Sequence, residues 1–280
     1  MSGAGPAAPA GPALPELRED EAPPAIAALY AALRRASGVP LVNLIHRHLA
    51  TMPEVLPWVW AAIRPPLEDG RLAGARERLA GALPLPAIAP LPAAALAAAG
   101  LGPGERDALV ALVETYNRGN LTNLILLTAL RRALEEVPPE PAPPPPALAA
   151  PAPLPAPPPL PRLEALPPDL AAAVRGLAAR HGPGSVVPSL YLHLAHWPGI
   201  PPALPGWLGA ALEPAAIAAG REAAIALAVR EADALRPALA IAGAVPGGRR
   251  EAVLQALRSF TGSLIPAMVP VGLALRRLLA

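Results

Sequence analysis

The chain has 280 residues, 53% of them hydrophobic, which excludes an intrinsically disordered polypeptide and allows a sizeable core. A net charge of only +2, carried on the basic side by Arg alone, excludes the dense basic surface of a nucleic-acid binder. The absence of Cys excludes disulfides, thiolate metal centres and thiol catalysis, and fits a reducing cytoplasm.

Ala dominates the apolar residues and is the best helix former, while β-branched residues are sparse, so the expected class is all-α. Residues 1–19 read as a disordered tail with no basic n-region and no uninterrupted apolar stretch of a signal peptide. Pro24 opens a helix over 24–36, with Ile26, Leu29, Tyr30 and Leu33 on one face and a stop at Ser37-Gly38. A second helix is expected over 41–51, ending before Pro53, with Trp58 and Trp60 in the segment after it; all four Trp residues read as core. Residues 82–104 are uncharged and long enough to span a bilayer. They contain Pro84, Pro86, Pro90, Pro92 and Pro103, so no membrane helix is expected. A long helix over 104–136 follows, with Gly119 as the place where it could kink or divide.

Residues 138–161 are almost wholly Pro, Ala and Leu and cannot stay helical. They should be extended and superficial, with a polyproline reach on the order of 70 Å. Beyond them the pattern returns at a shift of 145 positions. Pro23, Ile26, Leu29 and Leu33 fall on Pro168, Ala171, Val174 and Ala178; the stretch from His48 to Pro53 falls on that from His193 to Pro198; and the Ala-Leu-Arg-Arg run at 129–132 falls on 274–277. The expected architecture is thus a pseudo-dimer of two homologous helical repeats, 20–137 and 165–280, joined by a Pro-rich linker over 138–164. In the second repeat, Pro266 and Pro270 must bend or break the last helix.

Polar residues inside apolar helices mark where chemistry could sit. Asn117, Asn120 and Asn123 recur every three residues, and a buried amide is costly unless its donors and acceptor are matched. Asn123 could bind a carboxylate or orient a water, or it could bond to neighbouring backbone. Asn43 sits in a similar setting, and Ser189 reads equally as a helix cap or a site residue. His46, His48, His193 and His196 have no carboxylate at ligand spacing beside them, so no metal is expected.

The run from Gly38 to Pro53, which contains Val42-Asn43-Leu44-Ile45-His46, resembles the first repeat of the group I 2-haloacid dehalogenases, as do Trp58, Trp60 and Pro65 after it. The run Val187-Pro188-Ser189-Leu190-Tyr191, with Leu194 to Pro198, Trp207 and Pro214, resembles the second. Tyr116-Asn117-Arg118-Gly119-Asn120 through Asn123-Leu124 is similar to the late helix of the first repeat. The resemblance implies an all-α pseudo-dimer with its site between the repeats. It also implies hydrolysis of short 2-haloalkanoic acids by a water that an Asp activates and an Asn holds, without cofactor or covalent ester.

Carried onto this chain, it assigns catalytic roles to Asn123 and Ser189. It places Val42, Asn43, Ile45, His46, Asn117, Leu190, Tyr191 and Met268 around the substrate. The family's Asp stands between Ser and Tyr, where this chain has Leu190, so weak or absent dehalogenation is expected. A displaced base would have to be His46, His193 or Glu114. The alternatives are a non-catalytic binder of a small organic acid or apolar molecule, or a helical protein that docks partners; a homodimer is compatible with each.

Overall fold

The computed structural model describes residues 14–102, 104–149, 152–182 and 186–280, and among them there is no β-strand. The helices are α1 (Pro24–Ser37), α2 (Leu44–Leu49), α3 (Val55–Glu68), α4 (Arg71–Ala82), α5 (Ala93–Ala98), α6 (Glu105–Leu134), α7 (Pro168–Ala179), α8 (Ser189–Leu194), α9 (Ile200–Leu208), α10 (Pro214–Leu235), α11 (Arg250–Ser259) and α12 (Ile265–Leu278). Helix starts recur 145 positions apart: Leu44 and Ser189, Val55 and Ile200, Glu105 and Arg250.

Local chemistry explains the ends. Pro lies in the first turn of α1, α7, α9 and α10, where its missing donor costs nothing. Gly38 ends α1 in the left-handed region at φ 65°, its N–H capping the Arg34 carbonyl. Helix α6 carries Glu105 and Asp107 in its first turn and Arg131 and Arg132 in its last, matching the helix dipole. It runs through Gly119 without interruption. Gly119 is used instead for close approach: a Cβ there would lie 3.1 Å from Asn43 Nδ2.

The expected break in the last helix falls upstream of both prolines. Residues Phe260–Leu264 form a π-helical turn between α11 and α12, and Pro266 sits in the first turn of α12. A wider turn accommodates a ring and a missing N–H without ending the rod. Pro270 stays inside α12 and packs on α10 at Gly220, where a Cβ would come within 2.9 Å of it. The stretch Arg250–Leu278 is long and apolar enough to cross a membrane, but 61% of its most apolar window is buried inside the fold.

Two apolar cores form, and each draws on both ends of the chain. One gathers Tyr30, Ile45, Leu56 and Leu79 with Leu124, Ile125, Leu257 and Val269. The other gathers Leu109, Leu112 and Tyr116 of α6 with Leu190, Trp197, Leu204 and Met268. Thus α6 and α12 serve both cores, and the chain is not two beads on a tether. Trp58, Trp60 and Trp207 pack, partly exposed, against these cores, in keeping with their reading as core.

Between α6 and α7 no described residue of 138–161 is helical, and most are exposed. This segment is nevertheless pinned. Leu148 N donates to Gly70 O at 3.1 Å, Arg118 Nη1 to Ala152 O at 2.8 Å, and His196 Nε2 to Pro159 O at 2.8 Å. The N-terminal tail expectation fails for its last residues. Arg47 Nε donates to Glu16 Oε2 at 2.6 Å and Tyr30 donates to Leu17 O at 2.8 Å, so residues 15–19 are held against α1 and α2. Residues 1–13 lie outside the described residues.

Candidate active site

Four helices, α2, α6, α8 and α12, and the π turn meet at one cavity of about 80 Å³. Asn43 leads into α2 with extended backbone and makes no side-chain cap bond, so its amide is not spent on the helix it precedes. Leu44 and Ile45 follow it into the wall. From α6 come Tyr116 and Asn120, four residues apart and therefore on one face. Ser189 and Leu190 enter from α8, preceded by Val186, Val187 and Pro188. Phe260, Leu264, Ile265 and Met268 close the far side. No carboxylate and no cation is among the described residues lining this cavity.

An outer chamber of about 330 Å³ shares Asn43, Leu44, Tyr116 and Ser189 with the inner one. Its further lining is charged, with Glu16, Arg18, Glu19, Asp20 and Arg47, and its wall includes Pro157 and Pro158 of the proline-rich segment and His193 of α8.

A chain of hydrogen bonds joins the two chambers. The Pro158 carbonyl can only accept, so His193 Nε2, 2.9 Å away, carries the proton. His193 Nδ1 is then a bare acceptor, and the Tyr116 hydroxyl donates to it at 2.5 Å. Tyr116 is buried, which raises its pKa; Arg47 and a hydrogen bond from Ser189 act against that rise. His193 is neutral at physiological pH, burial lowering its pKa to about 4 against the help of the Pro158 carbonyl.

The sequence-derived residues divide into two groups. Asn43, Ile45, Ser189, Leu190 and Met268 line the inner cavity, and Val42 lines the outer chamber. Ser189 is the first residue of α8, with Pro188 at the cap position before it. His46, Asn117, Asn123 and Tyr191 do not line the inner cavity. Asn117 Nδ2 donates to Gly272 O at 3.0 Å and joins α6 to α12. Asn123 Oδ1 accepts from His46 Nε2 at 2.7 Å, and Asn123 Nδ2 donates to Gly119 O at 2.8 Å. Both face a separate void of about 20 Å³, room for about one water. Tyr191 is fully buried, with its hydroxyl 2.8 Å from His181 Nε2.

The residues that sequence reasoning missed are Asn120, Tyr116 as a wall residue, and the π-turn side chains Phe260 and Leu264. Asn120 was within the Asn117-Asn120-Asn123 series, and its spacing from Tyr116 was the signal that could have selected it. Among the described residues no group of three or more His, Asp or Glu converges as a metal site.

No protein-family model matches the chain. No curated protein matches it in sequence. Solved structures do match in fold. A D-2-haloacid dehalogenase mutant aligns with TM-score 0.76 at 17% identity, over 98% of this chain and 99% of that one. The complex of such a mutant with D-2-CPA aligns at 0.75 and 18% identity, over 98% and 97%. The complex of the dehalogenase with L-LA aligns at 0.72 and 17% identity, over 98% and 99%. Along almost its whole length, this chain has the fold of the D-2-haloacid dehalogenases.

Proposed function

We propose that this chain is a divergent, internally duplicated relative of the 2-haloacid dehalogenases that binds a small organic molecule in the inner cavity and does not hydrolyse 2-haloacids. The observation that carries this reading is the wall itself: Leu190 stands where the resemblance places the water-activating Asp, and no described lining residue is a carboxylate. A general base is typically worth about 10²–10⁴-fold, and direct attack of water at carbon depends on one. The displaced bases are also engaged elsewhere. His46 is tied to Asn123, His193 Nδ1 accepts from Tyr116, and Glu114 lies between Arg118 and Arg276 at 4.0 and 3.9 Å.

Asn120 replaces Asn123 as the amide offered to a ligand. The recurrence of helix starts at 145 positions supports two homologous repeats, the lack of Cys fits a cytoplasmic protein, and the family resemblance implies that no cofactor is used. The test is halide release from 2-chloropropionate and 2-bromopropionate by the purified chain. No release above buffer is expected, and steady turnover would replace this reading with that of an active dehalogenase.

A further inference from the structure

We infer that the inner cavity selects an uncharged, hydrogen-bond-donating molecule, a short primary amide or alcohol, and discriminates against carboxylates. This rests on the cavity being a binding site, as proposed above.

Proton direction and charge set this selectivity. Pro158 O fixes the proton on His193 Nε2, so the Tyr116 proton points at His193 Nδ1, away from the cavity. The Tyr116 hydroxyl at the border of the inner cavity therefore turns an oxygen lone pair, not its proton, toward a ligand. A ligand N–H or O–H is complemented there, whereas a carboxylate oxygen finds no donor on it. Asn43 and Asn120 complete the polar side with one acceptor and two donors each, a pattern that a primary amide matches in both directions.

Among the described residues no cation lines the inner cavity, so a carboxylate there meets neutral amides and no counter-charge. Arg47 is the charged residue whose field reaches Tyr116. Its guanidinium is spent on Glu16 at 2.6 Å and on the Val42 carbonyl. Arg18 faces Asp20 at 3.7 Å, and Glu19 is held by Arg34 and by Val42 N. The outer chamber thus brings three acids against two arginines, both paired. An anion held in the inner cavity loses hydration without a counter-charge among its described lining residues.

Size narrows the class. About 80 Å³ is roughly half of the ~150 Å³ void that admits benzene, so about three heavy atoms fit inside, and a slightly longer ligand extends toward the neighbouring chamber. The apolar side, Ile45, Leu190 and Met268, takes the alkyl end.

Propionamide and propionate differ in charge at nearly equal size. Each is titrated into the ¹⁵N-labelled full chain at pH 7.5, with the side-chain amide signals of Asn43 and Asn120 as reporters. Propionamide is expected to shift those signals, with propionate at least tenfold weaker. Asn120→Leu is expected to weaken propionamide about tenfold, with Ser189→Ala as a second variant that removes an acceptor with little change in volume. Unchanged backbone spectra would show that each variant keeps its fold. A preference below tenfold, or one for propionate, overturns the inference and leaves the cavity reading standing. If neither probe moves the reporters, the cavity reading falls and this inference falls with it.

Discussion

His46 Nε2 donates to Asn123 Oδ1 at 2.7 Å, and the other end of the same amide donates to Gly119 O at 2.8 Å. Both residues are almost fully buried, so this amide is engaged inside the α2–α6 contact and faces the small separate void, not the cavity. Asn120, one turn earlier on α6 and half-exposed, makes no such bond and borders the cavity.

Asn123→Ala should therefore act on stability and not on binding. It leaves the buried His46 N–H without an acceptor, a loss of about 1–3 kcal/mol. Asn120→Ala should cost about 1 kcal/mol or less while weakening ligand binding. Urea denaturation and ligand titration on the two variants separate these roles; the account requires opposite patterns.

Stability should fall on the acid side of neutrality. Burial lowers the pKa of His46 to about 4, and likewise those of His181 and His193. The unfolded chain binds these protons near pH 6.5, before the native state does, so native stability is full above that pH and is lost as pH falls toward about 4. His46 alone contributes on the order of 3 kcal/mol across that window. Urea midpoints measured from pH 8 to 4.5 should decline below pH 6.5, and His46→Gln should flatten part of the decline.

How much of this was legible in the sequence follows from where the constraint lies. Leu190 and Ser189 could be placed by motif because the short α8 presents successive side chains to different neighbours. The phase of the Asn series could not be read, since α6 is buried on nearly every side over 121–130 and has no polar face from which to set its rotation. The His46–Asn123 and Tyr116–His193 pairs each bridge 77 positions and belong to the packing of α2 and α8 on α6. Prolines foretold a disturbance in the last helix, but its position depends on the π turn that makes room for the Pro266 ring.

The proline-rich segment is expected to be a structural strap. A Cβ at Gly74 would overlap the Pro146 carbonyl, and one at Gly70 the Leu148 carbonyl. Gly74→Ala should lift residues 143–149 off α4, cost about 1–3 kcal/mol through overpacking, and speed proteolysis within that segment. Proteolytic mapping of the two proteins side by side checks this; an unchanged cleavage pattern would mean that the strap's contacts carry no weight.

The central claim is that the dehalogenase fold is present here without its base. Leu190 is 2% exposed and lines the cavity beside Ser189, so Leu190→Asp puts a carboxylate against any molecule bound there. The direct measurement is bromide release from 2-bromopropionamide and 2-bromopropionate by the native chain and by this variant. The account predicts none above buffer for the native protein with either compound. For the variant it predicts a gain of about 10² or more, larger on the amide. In that reaction water forms the new C–O bond, its proton goes to the carboxylate, and bromide leaves with the bonding pair. Native turnover as fast as that of Leu190→Asp would contradict the claim.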